Sequence, residues 1–266
     1  MKIKTPLSFL GTRPSRRLAV STVLAAAALS ANISVQAADW SSTNVQYLYG
    51  TNYADTFGID DKDKVVFTFE HANGWKYGDN FFFLDVSNPG DKGTTYYAEF
   101  SPRLSFGKIS GNSMAFGIVK DVLLSGTWEM GQGLRAYLLG VGLALDLPHF
   151  AFADFNLYWR QSERDFIATD TNAGAQITID WLVPFKVGAM KLAFEGFVDY
   201  AFGEDGGNAP KEDNLIAGPR LLVDVGDMWG TPGQLQMGVE YQIWSNKFGI
   251  KGVDEDVAQL MVKWTM

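Results

Sequence analysis

Apolar side chains in this chain recur at every second position, in segments of about ten residues, and that spacing admits few folds. Successive side chains of a strand point to opposite faces. Val65, Phe67 and Phe69 therefore share one face, with Val66, Thr68 and Glu70 on the other. The same two-faced pattern returns at Tyr96–Ser101, Tyr137–Leu145, Asp154–Arg160, Gln176–Val183, Lys191–Tyr200, Arg220–Val225 and Leu235–Ile243. It ends on a ribbon in which Leu260, Val262, Trp264 and Met266 oppose Gln259, Lys263 and Thr265, with Met261 out of pattern. About ten residues suffice for a tilted strand to cross a bilayer, whereas a helix needs about 20 apolar ones. A two-faced strand survives in lipid only inside a closed barrel, where every backbone group is paired.

The first residues set the compartment. Lys2, Lys4, Arg13, Arg16 and Arg17 precede an apolar stretch from Leu18 to Leu29, and Val35-Gln36-Ala37 offers a cleavage site. This reads as a secretory signal peptide over 1–37, too short in its apolar part for an anchor. One domain then occupies 38–266. The whole chain carries a net charge of −8, and losing five basic residues with the leader makes the remainder more acidic. Such acidity argues against nucleic acid as a partner, since phosphates demand a basic surface. With no cysteine, disulfides, thiolate metal sites and thiol catalysis are excluded together.

Adding strands near 43–49, 80–87, 115–125 and 257–266 brings the count to about twelve, and an even number returns both termini to the periplasm. The predicted fold is all-β, an up-and-down transmembrane antiparallel β-barrel. Gly107–Ser113, Asp146–Phe150, Pro184–Met190 and Gly226–Gly233 read as tight turns at the end bearing the termini. The longer, more charged Gly50–Asp63, Gln161–Asn172, Gly203–Asp213 and Ser245–Glu255 fall at the opposite, extracellular end. Tyr137, Trp159, Trp181, Phe185, Tyr200, Phe202 and Trp264 cluster near strand ends on the apolar face, as girdle residues do at headgroup level. An aromatic-rich secreted β-sandwich is the competing reading; it must also account for the closing strand.

The opposite faces should line the lumen. They carry Glu70, Tyr97, Glu99, Arg103, Asp154, Tyr158, Arg160, Asp180, Lys191, Glu195, Asp199, Arg220, Asp224, Glu240 and Trp244. Rings between charges of both signs suit a small solute with a flat face and a polar rim. The same residues could instead be ion pairs that hold the wall, such as Arg220 with Asp224 or Glu99 with Arg103. A non-conducting receptor or structural barrel is therefore the alternative function. Catalysis has little support. The two histidines, His71 at a strand end and His149 in a turn, have no serine placed opposite them. No cofactor or metal site is expected; Asp60–Asp63 and Asp254–Asp256 lack a calcium-loop spacing.

Ordered blocks also carry a resemblance. Phe82-Phe83-Leu84-Asp85-Val86, Glu99-Phe100-Ser101-Pro102-Arg103-Leu104-Ser105, Met114–Asp121, Pro184-Phe185 and Gly196–Gly203 together resemble the nucleoside-specific channel-forming outer-membrane proteins, Tsx-like and including the OmpK-type proteins. The resemblance spans nearly all of residues 38–266. It implies a twelve-stranded barrel with a narrow channel that passes small polar solutes, nucleosides foremost, across a Gram-negative outer membrane. It carries over no solute-contacting residue. The partners expected with it are outer-membrane lipid and lipopolysaccharide, and barrel assembly machinery that reads the C-terminal strand.

Overall fold

The structure is a computed structural model, described over residues 38–54, 62–91, 93–165, 172–205 and 211–266. The predicted leader, residues 1–37, and the acidic run Asp60-Asp61 lie outside the described residues. Thirteen strands form one antiparallel sheet. They are β1 (Trp40–Thr51), β2 (Asp63–Trp75), β3 (Gly78–Ser87), β4 (Thr95–Ser105), β5 (Val119–Gly131), β6 (Leu134–Leu145), β7 (Phe152–Arg164), β8 (Gly174–Val187), β9 (Met190–Phe202), β10 (Asn214–Ala217), β11 (Arg220–Asp224), β12 (Leu235–Ser245) and β13 (Glu255–Thr265). Consecutive strands pair, β10 with β11 excepted, and β13 pairs with β1 from Asn44↔Thr265 to Gly50↔Gln259. The sheet closes on itself and leaves no free edge. Among the described residues no helix is long and apolar enough to cross a membrane.

β10 and β11 both lie between β9 and β12. They are one stave broken at Gly218-Pro219, so the barrel has twelve staves. Proline has no N–H for the ladder. The gap is bridged by Gly218 N–H donating to Phe197 O (3.1 Å) and Tyr241 N–H donating to Pro219 O (2.9 Å).

Several boundaries differ from the sequence reading. The strand expected at 115–125 runs instead from Val119 to Gly131, because a bulge between Val119 and Asp121 shifts its alternation. Pro184–Met190 is mostly strand: β8 continues to Val187, and only Gly188-Ala189 turns. Pro184 and Phe185 still pair with Ala193 and Leu192. His71 does not end a strand, since β2 carries on through Trp75. Gly107–Ser113 overlaps a short helix, α1 (Phe106–Ser110), capped by the Ser105 side chain accepting from Lys108 N–H. Asn214–Ala217 adds a short strand ahead of the one read at Arg220–Val225.

The alternation separates two environments. Leu139 (57% exposed), Trp159 (53%) and Leu260 (65%) point outward. Tyr137, Phe185, Tyr200 and Trp264 are outward and exposed as well. Trp181 and Phe202 are outward but half-buried, lying against Phe194 (5.7 Å) and Tyr200 (5.3 Å). The small Ala98, Ala153 and Ala217 are buried on the outer face; most buried side chains are inside. Met261, the residue out of pattern, packs with Leu48 and Leu222 there, with Val66 alongside. One register row explains the contact: Leu222 pairs with Gly238, Gly238 with Met261, Met261 with Leu48 and Leu48 with Val66. Gly238 has no side chain, so Leu222 and Met261 meet above it; a Cβ there would sit 1.9 Å from Leu221 O. Burying each of these apolar side chains contributes about 1.5–3 kcal/mol.

Candidate functional site

By register, all fourteen residues Glu70, Tyr97, Glu99, Arg103, Asp154, Tyr158, Arg160, Asp180, Glu195, Asp199, Arg220, Asp224, Glu240 and Trp244 lie at inward positions. Lys191 is inward at the mouth bearing the termini, where it pairs with Asp227 (2.6 Å). The inward groups are not equivalent.

Three arginines organise the charges. Arg220 Nε donates to Glu240 (2.5 Å) and lies 3.7 Å from Glu195 and 3.8 Å from Glu70. Lys263 donates to both oxygens of Glu195 (2.8 and 3.1 Å). Glu70 accepts from Asn44 (2.8 Å) and Gln46 (3.2 Å), and Glu240 from Gln259 (2.8 Å). Arg103 grips Asp79 through two bonds (2.7 and 3.1 Å) and reaches Asp154 at 3.0 Å. Arg160 clamps Glu129 bidentately, one arm at 2.7 Å, and also donates to Gln176 (2.7 Å). Planar two-armed pairs of this kind hold geometry as well as charge.

The expected pairs Arg220–Asp224 and Glu99–Arg103 do not form. Residues four apart on one strand share a face but are separated by about 13 Å; partners directly across the ladder or the lumen are nearer. Asp224 instead accepts from Asp227 N–H (3.0 Å) and Gly233 N–H (2.8 Å), holding a turn. Tyr158 is packed with Ala136 and Leu138 and is part of the wall.

Inward residues differ in how far they are closed off. Gln46, Leu48, Gln259 and Met261, on β1 and β13, are 1–3% exposed, and Asp154, Asn156, Arg160 and Ser162 on β7 are buried too. On β3 and β4, by contrast, Phe81, Phe83, Asp85, Tyr97 and Glu99 stay half-buried, as do Asp180, Phe197 and Asp199 on β8 and β9. In a ring of twelve staves β3–β4 stands roughly opposite β9.

On β3–β4 the inward rings touch in series: Phe81 to Phe83 at 6.0 Å, Phe83 to Tyr97 at 5.8 Å. Tyr97 Oη donates to Glu99 (2.5 Å), and the Asp85 carboxylate accepts from Thr68 (2.5 Å). Across the lumen Asp199 accepts from Thr178 (2.5 Å) and Gln176 (3.1 Å). Sequence reasoning missed Phe81, Phe83, Asp85 and Glu129. The usable signal was the spacing Asp79, Phe81, Phe83, Asp85 along one face, hidden because Phe82 and Leu84 make the other face apolar too.

The two mouths differ. At the end bearing the termini a cavity of about 310 Å³ opens among Ser42, Glu195, Asp224, Gln236, Lys263 and Thr265. At the far mouth, residues beyond the strands fold inward. Glu204 accepts from Ser162 N–H (2.9 Å), pairs with Lys211 and lies 3.4 Å from Arg160. Burial raises the Glu204 carboxyl, but Lys211 and Arg160 more than offset this and hold it below its ordinary value.

Of the histidines, His71 is on the outer face and bonds Thr43 Oγ1 (2.7 Å). His149 sits in its turn with φ 72°. Asp254 and Glu255 are engaged with Asn246 N–H and Lys247. Among the described residues no group of three His, Asp or Glu side chains is arranged to hold a metal ion.

Residues 35–264 match the family described as "Nucleoside-specific channel-forming protein, Tsx". The protein of that name from Salmonella typhimurium is 25% identical over 239 residues, covering 78% of this chain and 82% of its own length. Outer membrane protein OmpK of Vibrio parahaemolyticus is 28% identical over 136 residues, 47% of this chain and 50% of its own. Among solved structures, the NanC porin aligns with a TM-score of 0.48 at 10% identity, covering 84% of this chain and 98% of that one.

Proposed function

We propose, from the premise that this chain belongs to the nucleoside-specific channel-forming Tsx family, that its solutes are nucleosides passing along the ring-lined face of β3 and β4. The chain is an outer-membrane channel for small solutes of a Gram-negative bacterium, and the family is one of channels rather than enzymes. The observation that carries the nucleoside reading is the contiguous series Phe81, Phe83 and Tyr97, half-buried and flanked by Glu99 and Asp85.

A purine or pyrimidine has two π-faces and a polar edge, and a ribose carries hydroxyl donors. Rings stack on the former, and carboxylates that already accept from Tyr97 and Thr68 have lone pairs left for the latter. Several weak sites in series suit passive transport, since a solute held tightly at one site would not leave. In the same reading the outward rings face lipid and lipopolysaccharide, and the closing strand β13 is the segment that assembly machinery engages. Purified protein in planar bilayers should form small channels whose ion current falls on adding adenosine or thymidine. Current indifferent to every nucleoside would remove the specificity and leave the channel.

A further inference from the structure

The segment between β12 and β13, residues 246–254, does not loop outward from the far mouth. The Phe248 carbonyl accepts from Arg164 Nη1 (3.3 Å). Arg164 is on β7, four staves from β12, so this bond crosses the opening instead of following the wall. The Gly249 carbonyl accepts from Glu212 N–H (3.0 Å), beyond β9, and Asn246 Nδ2 donates to Asp213 O (3.0 Å). On the other side Glu255, at the start of β13, accepts from Ala54 N–H (2.9 Å), beyond β1.

The segment combines a buried ion pair with a costly backbone. Lys247 is 3% exposed and donates to Glu255 Oε2 (2.7 Å). Its ammonium lies 5.0 Å from the Trp244 ring, and Phe248 meets the same ring edge-on at 4.7 Å. Asn246 (φ 47°), Phe248 (φ 58°) and Gly249 (φ 74°) are all left-handed. Asparagine and glycine tolerate that region, but phenylalanine does not, so this conformation persists only while contacts enforce it. A channel crossed at its mouth by a strained segment, with a buried ion pair at its base, has the parts of a gate.

We propose that residues 246–254 are a hinged cover over the far mouth, latched by Lys247 on Glu255, and that this cover must swing away for current to pass. The idea goes beyond solute identity, so its test reads potassium chloride current with no nucleoside present. A double variant Asp213→Cys, Asn246→Cys ties the cover to the chain beyond β9 when oxidised. The oxidised channel should carry at least tenfold less current, and reductant should restore it in the same membrane. Lys247→Met, which keeps the stem and removes the latch, should lengthen open dwell times severalfold. Equal current from oxidised and reduced forms, with cross-linking verified by mass spectrometry, would make the segment fixed wall and overturn the proposal. Unchanged open dwell times in Lys247→Met would remove Lys247 as the latch and overturn the proposal as stated.

Discussion

The staves β13 and β1 and the staves β3 and β4 are built from the same alternating ribbon and turn outward faces of the same character. Their inward faces differ. On β13–β1 the inward residues Gln259, Met261, Gln46 and Leu48 are almost without exposure and interlocked by amide bonds and apolar contact. On β3–β4 Phe81, Phe83, Asp85, Tyr97 and Glu99 stay half-buried. Position on a lumen face therefore does not make a residue a solute contact. Arg220 and its three carboxylates brace the wall; the proposed passage runs along β3–β4.

That division can be broken by substitution on either side. The largest effect is expected at the wall. Arg220→Met strands Glu240, Glu195 and Glu70 without their shared cation, and breaking such a buried cluster costs about 3–5 kcal/mol. Urea unfolding in lipid vesicles should register that loss; a change below a tenth of it would mean the cluster is ornamental. Phe83→Ala is the matched change on the passage side. It should leave the barrel folded but weaken nucleoside block about tenfold, from the 1–3 kcal/mol or so that stacking on one ring supplies. Should it unfold the barrel as Arg220→Met does, the two sides would not differ in kind.

The smallest expected effect is at the far mouth and depends on pH. The folded Glu204 carboxyl titrates below its ordinary value, so its contribution is complete above the free-carboxylate range, near 4.3 or so. It is lost as pH falls through the lowered folded-state value. Glu204→Gln should thus be less stable than wild type at pH 7, by about 1.5 kcal/mol. The difference should vanish well below pH 4 or so. A gap that persists in acid would rule out the ion pair as its source.

Stave number and inward position were legible because lipid and lumen impose opposite polarity on neighbouring residues. Glu99, Arg103, Asp199 and Arg220 could be placed inside from spacing alone. Their partners could not: Arg220 meets Glu70 from a distant part of the chain, and closure of the barrel brings them together. The strand at 119–131 was misplaced because the bulge near Val119 breaks the period, and β10 was missed because Gly218-Pro219 hides its continuity with β11. Phe81 and Phe83 escaped notice for a related reason. A stave whose lumen face carries rings loses the contrast that marks its faces, so the residues proposed for solute stacking were the least visible.

The central claim is that nucleosides pass along the rings of β3 and β4. Nucleoside block of single-channel current, measured side by side for wild type and Phe83→Ala, tests it most directly. The account predicts concentration-dependent block in the wild type, about tenfold weaker in the variant, with ion conductance retained in both. Equal block in the two proteins would contradict it.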